Sequence, residues 1–145
     1  MLIEHVLSTK KIKGLHTIKE NDPVSHAVNL LADNKIGALP VTNDGKNIEG
    51  VISERDIVKH ISSIGPAALE TAVKDIMTRD VFSCMKGDSL RDIIEQMNSG
   101  RFRHMPVVED KKLIEFISIS DLVLAHLNEL EYENKFMRGS VTGKT

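Results

Sequence analysis

The sequence predicts an α/β (α+β) fold of two tandem β-α-β-β-α units, and three observations carry that reading. Residues Thr17 to Val41 recur as Ser83 to Val107 at a constant offset of 66 positions, so that Asp22 falls on Asp88, Pro40 on Pro106 and Val41 on Val107. After a one-residue deletion the offset becomes 65, and Ser53, Asp56 and Val58 fall on Ser118, Asp121 and Val123. Within each copy, a stripe of apolar residues at helical spacing precedes two short apolar runs separated by turn residues. A repeat of this length signals two similar supersecondary units that bury one another, so a site made by one unit has a counterpart in the other.

In the first copy the opening strand lies around Thr17–Ile18. Asp22 and Pro23 read as a helix start, with Asp as cap and Pro at the first helical position. Val24, Ala27, Val28 and Leu31 follow at i, i+3, i+4 and i+7, a buried helical stripe. Ala38 to Val41 reads as a strand, Asn43, Asp44 and Gly45 as a turn, Ile48 to Ser53 as a second strand and Arg55 to Ile61 as a second helix. In the second copy Asp88 stands at the cap, and Leu90, Ile93, Ile94 and Met97 give the stripe. Met105 to Val108 and Leu113 to Ser118 are the paired strands around Glu109–Asp110–Lys111. The last helix opens at Asp121 and runs to about Phe136. These elements set repeat one at about 8–62, a connector at about 63–72 broken by Gly65 and Pro66, and repeat two at about 73–130. A short helical stretch is expected over Ala68 to Met77. Residues 131–145 are expected to hold the helix end and a fraying tail rich in Gly, Ser and Thr from Arg138.

A chain of 145 residues is one domain by length, and can bury roughly 70% of its extended surface. Each copy alone would be marginal. With no Trp, one Tyr and a net charge of −2, aromatic stacking is not a major binding device and no basic face is available for general nucleic-acid binding. Cys84 is the single cysteine, which suits a reducing cytoplasm. The N-terminal run MLIEHVLSTKK lacks a secretory pattern, and no apolar run approaches the ~20 residues that span a membrane. The expectation is a soluble cytoplasmic protein.

The strongest local motif runs from Gly50 through Ser53 to Asp56, with Glu115 through Ser118 to Asp121 as its counterpart. A strand ends at a serine, and three residues later an aspartate sits in the first turn of a helix. Two readings compete. One is a capping box, in which the serine caps the helix and the aspartate reaches back. The other is an anion and ribose site, since a strand end followed by a helix N-terminus gathers free N–H groups and hydroxyls.

A β-α-β-β-α unit repeated in tandem, each copy ending on the motif Gly-x-x-Ser-x-x-Asp (with Glu115 in the glycine's place in the second), resembles the CBS domain pair (the Bateman module), here as a stand-alone CBS-domain protein. The resemblance spans roughly Leu2 to Leu130. Val73-Lys74-Asp75-Ile76-Met77-Thr78 is similar to the lead-in that precedes such a repeat. Gly37 to Val41 and Arg103 to Val107 resemble the family's second strand, and Ser53-Glu54-Arg55-Asp56 its Thr-Glu-Arg-Asp. The resemblance implies a regulatory module that binds an adenosine-containing ligand between the repeats: AMP first, with ADP, ATP, S-adenosylmethionine or an NAD-type dinucleotide as alternatives. No cofactor is required. Asp56 and Asp121 would hold the ribose hydroxyls, and Ser53, Ser118 and Ser120 would meet ribose or phosphate, with Arg55 carried alongside as part of the motif. Arg103 and His104 would face the phosphate through charge-assisted bonds. Adenine would lie beside Ile18 and Cys84, against the strands holding Ala38, Pro40, Met105 and Pro106. A homodimer and an unidentified regulated partner are also implied.

The copies depart from one another in two places. Gly50 is replaced by Glu115, which would bring bulk and negative charge where a glycine permits close backbone approach. Gly37 and Ala38 stand where the second copy has Arg103 and His104. Unequal sites are therefore expected. The six histidines show no metal-ligand spacing on one helix face, and Gly143-Lys144-Thr145 lacks the upstream glycine and following helix of a phosphate loop. Nothing sets a nucleophile beside a base, so no catalytic residue is assigned and an enzyme is not expected. A structural dimerisation module with vestigial ligand pockets is the alternative. The last helix carries Leu122, Leu127 and Leu130, which either core packing or an interface explains.

Overall fold

The structure, a computed structural model, describes residues 1–9 and 14–142, with side chains described as far as Lys135. In chain order the elements are α1 (Ile3–Thr9), α2 (Val24–Asn34), β1 (Ala38–Val41), β2 (Gly50–Ser53), α3 (Glu54–Ile64), two 3₁₀ turns (Gly65–Glu70 and Val73–Asp75), α4 (Leu90–Gly100), β3 (His104–Glu109), β4 (Lys112–Ser118) and α5 (Ile119–Thr142). β1 pairs with β2 and β3 with β4, each pair a two-stranded sheet. The residues sort into two compact units. The first holds Gly14–Ser83 with Met105–Phe116; the second gathers Cys84–His104 with the N-terminal segment and the residues from Ile117 onward.

In the first unit the stripe of α2 buries Val24, Ala27 and Leu31. They pack with Ile18, Leu39, Val41, Ile52, Ile57, Val73 and Met77 in one core cluster. β1 and β2 pair antiparallel with Ala38 opposite Ser53 and Val41 opposite Gly50. The turn between them is built on Asp44, whose carboxylate accepts from the backbone N–H groups of Asn47 (2.8 Å) and Lys46 (2.9 Å). Those donors, Asn47 first, hold its carboxyl well below the usual carboxylate range. In the second unit α4 buries Leu90, Ile93 and Met97. Ile3, Val6, Cys84, Leu122 and Ala125 are buried as well, with α1 and α4 both packed on α5.

Each copy borrows its lead-in from another part of the chain, and the two borrowings match bond for bond. In the first unit the connector docks on the start of α2. Val24 N–H donates to the Thr71 carbonyl (2.8 Å), Val73 N–H to Asp22 (2.9 Å) and Lys74 N–H to Glu20 (3.0 Å). In the second unit the N-terminal segment docks on the start of α4. Leu90 N–H donates to Met1 (2.9 Å), Ile3 N–H to Asp88 (2.9 Å) and Glu4 N–H to Lys86 (3.0 Å). Residues 1–4 are thus the counterparts of 71–74, and the antiparallel bridge Leu2–Ser89 mirrors Pro23–Ala72. Ile3 and Val73, at matching positions, are both 0% exposed. The lead-in written before the first repeat completes the second unit, and the lead-in written before the second repeat completes the first.

Four expectations need correcting. Asp22 and Asp88 do not cap helices. Each closes the turn before its helix, accepting from the N–H of Lys19 (3.1 Å) and Met85 (2.8 Å) respectively. Pro23 stays extended at ψ 151°, so α2 starts one residue later, with Pro23 in the cap position; Ser89 caps α4 by accepting from Asp92 N–H. The expected strand at Thr17–Ile18 reduces to one parallel bridge from Ile18 to Val41. The connector forms two 3₁₀ turns rather than one helix, because Gly65 at φ +80° ends α3 and Pro66 follows it. α5 itself runs from Ile119 to Thr142, and residues 143–145 of the expected tail lie outside the described residues.

Candidate functional site

Both Ser-x-x-Asp motifs fold as capping boxes, so the first of the two competing readings of the motif is realised. At α3, Ser53 Oγ accepts from Asp56 N–H (3.2 Å), and Asp56 Oδ2 accepts from both Ser53 N–H (2.9 Å) and Ser53 Oγ–H (3.0 Å). At α5, Ser118 Oγ accepts from Asp121 N–H (3.2 Å) and Asp121 Oδ2 accepts from Ser118 N–H (2.9 Å). The local reason is the same in both: an extended serine leaves the strand, and the next residues turn into a helix whose first N–H groups lack intrahelical partners. The box engages Oδ2 of each aspartate. Among the described residues no bond is made to Asp56 Oδ1, so that oxygen still has lone pairs for a hydroxyl.

Around the first box the sheet brings several of the expected residues together. Ala38 sits opposite Ser53 across the β1–β2 ladder. Ile18 N–H donates to the Pro40 carbonyl (3.2 Å) and Thr42 N–H returns to Ile18 (2.8 Å), fixing Ile18 beside the strand. Glu54 N–H donates to Gly37 (3.0 Å), tying the start of α3 to the residue before β1. Ile18, Ala38 and Pro40 are buried, Ser53 and Asp56 half-buried, and Arg55 exposed. Met105 and Pro106, buried in β3, belong to this same unit.

The second box repeats the arrangement with different chemistry. Ile119 N–H donates to the Arg103 carbonyl at 2.7 Å, the counterpart of the Glu54–Gly37 bond, which sets Arg103 at the start of α5 beside Ser118 and Asp121. Arg103 and Ser120 are exposed; His104, Ser118 and Asp121 are half-buried. Cys84 takes the place of Ile18 and is 1% exposed. Its thiol is pushed up to about 12, first by burial and then by the charge of Asp88, so it is an inert apolar surface rather than a nucleophile.

The glycine of the motif is explained by packing. A Cβ on Gly50 would stand 2.6 Å from the Thr78 carbonyl and about 3 Å from the Met77 side chain, because Val51 and Thr78 exchange both backbone bonds (2.9 and 2.8 Å). Thr78 closes the lead-in Val73–Thr78 that docks on the first unit. At the matching position of the second copy stands Glu115, whose carboxylate takes a bond from Phe116 N–H (3.1 Å). A correspondence between residues 1–7 and 71–77, apolar in both at positions 2, 3, 6 and 7 of the run, was the signal that would have revealed the exchanged lead-ins. Among the described residues no group of His, Cys, Asp and Glu is placed to hold a metal ion, and no helix is long and apolar enough to cross a membrane.

Comparison with known proteins places this geometry. The CBS domain profile matches residues 5–63 and 73–128. The mitochondrial CBS domain-containing protein CBSX3 of Arabidopsis thaliana is 32% identical over 127 residues, covering 82% of this chain and 62% of that protein; the chain thus spans under two thirds of that relative's length. The crystal structure of the CBS-domain containing protein ATU1752 from Agrobacterium tumefaciens superimposes with a TM-score of 0.82 at 33% identity, covering 87% of this chain and 99% of the other. The CBS domain pair of protein MJ0100, crystallised with 5′-methylthioadenosine and S-adenosyl-L-methionine, shares the fold with a TM-score of 0.77 at 19% identity, covering 89% of this chain and 98% of that one. With its two Ser-x-x-Asp boxes on two matching units, the chain belongs to the CBS-domain family as a CBS domain pair.

Proposed function

We propose that this chain is a regulatory module that binds an adenosine-containing ligand, AMP foremost and ATP, ADP, S-adenosylmethionine or an NAD-type dinucleotide next, and passes the binding on to a partner protein. The observation that carries the reading is the pair of Ser-x-x-Asp boxes. Each sets a hydroxyl and a carboxylate at a helix N-terminus, where anions are favoured. Ribose hydroxyls would bond Asp56 or Asp121, displacing or sharing the Ser N–H contact. Ser53, Ser118 and Ser120 would meet ribose or phosphate. Arg103 and His104 would face a phosphate near the second box, with Arg103 supplying positive charge there and Arg55 doing so near the first. Ile18, Ala38, Pro40, Cys84, Met105 and Pro106 offer apolar surface to the base. The MJ0100 complex supports an adenosine ligand by likeness of fold. The module carries no catalytic step of its own and works in the cytoplasm as a homodimer. Val58, Ile61 and Ile64, exposed along α3, suit contact with a second copy.

One observation favours a purely structural dimerisation module instead: both carboxylates are already committed to their own helix caps. Thermal unfolding with each nucleotide in turn separates the two. A ligand at 100 times its Kd adds about 2.7 kcal/mol, which for a chain of this size is a rise of several degrees. That rise with at least one adenosine compound, and none with adenine-free phosphate esters, is expected. No rise with any of them would leave the structural module as the reading.

A further inference from the structure

α5 runs past the end of the family match at residue 128 to Thr142, and three of its exposed apolar residues fall on one line, with exposed Leu124 flanking it at e and exposed Tyr132 off it at f. Val123, Leu127 and Leu130 are 44%, 56% and 42% exposed, with steps of four and three. The sequence continues the steps at Asn134, Met137 and Val141. That is a heptad register with Leu127, Asn134 and Val141 at a, and Val123, Leu130 and Met137 at d. The opposite side of the helix holds it to its own unit: Leu122 and Ala125 are buried, and Glu129 pairs with the N-terminal amine at 3.1 Å. These three occupy c and f, facing away from a and d. Of the three leucines noted in the sequence, core packing accounts for Leu122 and leaves Leu127 and Leu130 unexplained.

We propose that this face pairs with α5 of a second copy as a short parallel two-stranded coiled coil. A lone Asn at an a position favours two strands in register, since its amide finds a partner only in its symmetry mate. Glu133 falls at g and Arg138 at e, the positions that face each other with opposite charge between parallel chains. The register covers fewer than three heptads, so the coil orients and strengthens a dimer rather than creating one unaided. It stands independently of the nucleotide reading.

Cysteine cross-linking of the full chain tests it, with the buried Cys84 of the unaltered protein as blank. Asn134→Cys under copper–phenanthroline oxidation is expected to run mostly as a covalent dimer. Tyr132→Cys, at an f position and 71% exposed, is expected to stay mostly monomeric. Equal cross-linking of the two, or none in either, overturns the coil. Asn134→Leu gives a second readout: in the coil it raises Tm and shifts the sedimentation mass above that of a dimer, whereas an unchanged Tm and mass speak against it. Both positions are exposed, so neither substitution threatens the fold. A dimer by sedimentation that does not cross-link at position 134 removes the coil and leaves a dimer through other faces standing.

Discussion

The two copies share a capping box and a helix stripe, yet their surroundings differ. In the first copy Thr78, at the end of the docked lead-in, lies against Gly50; the second copy ends in a 24-residue helix. The first box neighbours Gly37, the second Arg103. The first sheet turns through a loop organised by Asp44, the second through Asp110 and Lys111, both at positive φ, the backbone of a tight hairpin turn. The lesson is that divergence between repeats records what each copy must pack against. A glycine that looks like a ligand-approach position is held by a neighbouring carbonyl, while the charge difference at Arg103 has no packing role visible in the bonds described.

The exchanged lead-ins give the largest expected effect. Ile3→Ala should destabilise the protein by about 3 kcal/mol in urea unfolding, like any core truncation, although Ile3 stands near the start of the chain. Val73→Ala, its counterpart, should cost somewhat less because a smaller side chain is removed. An Ile3→Ala cost under about 0.5 kcal/mol, typical of a surface position, would break the equivalence of residues 1–4 with 71–74. Next, Gly50→Ala should cost about 2 kcal/mol, since the added methyl meets a carbonyl that the Val51–Thr78 bonds hold in place. Glu115→Ala should lie within about 1 kcal/mol of zero; equal costs would show that the Thr78 carbonyl does not impose the glycine.

Lys35 and Arg101 end α2 and α4 in the left-handed conformation, at φ 53° and 57°. Lys35→Gly and Arg101→Gly should each stabilise by about 1 kcal/mol by removing the Cβ penalty, measurable as a rise in denaturation midpoint at constant slope. Smallest near neutral pH is the contrast between Ile18 and Cys84, of which only the second titrates. The Cys84 thiol is raised from 9.0 to about 12 in the fold, so the unfolded chain loses its proton first. Its contribution is therefore full below pH 9 and fades as pH rises toward 12. The stability gap between the native protein and Cys84→Ala should narrow across that window; a gap that stays constant would mean the thiol ionises alike in both states.

Much of this was legible in the residues. The stripes Val24–Ala27–Leu31 and Leu90–Ile93–Met97 specify helices because three or four residues return to one face, and β1 was marked by a run of four apolar residues between polar turns. The Ser-x-x-Asp boxes could be located from spacing alone, but their state could not: one carboxylate can accept from its own helix or from a ribose, and sequence does not rank the two. Asp22 misled for the same reason. Its carboxylate can cap a helix or close a turn, and the choice was made by Pro23, which is held extended by its bridge to Ala72, a partner about fifty residues away. The exchange of lead-ins was hidden because it consists of backbone bonds between distant segments, and only the faint match between residues 1–7 and 71–77 points to it.

The most direct measurement of the central claim is a crystal structure of the protein grown with AMP, and with S-adenosylmethionine in parallel. The account predicts a nucleoside bound at one box or both, with the Asp56 or Asp121 carboxylate within ~2.7 Å of the ribose hydroxyls, a normal O–H···O length. Both aspartates still engaged in their own capping boxes, with neither compound bound beside them, would contradict it.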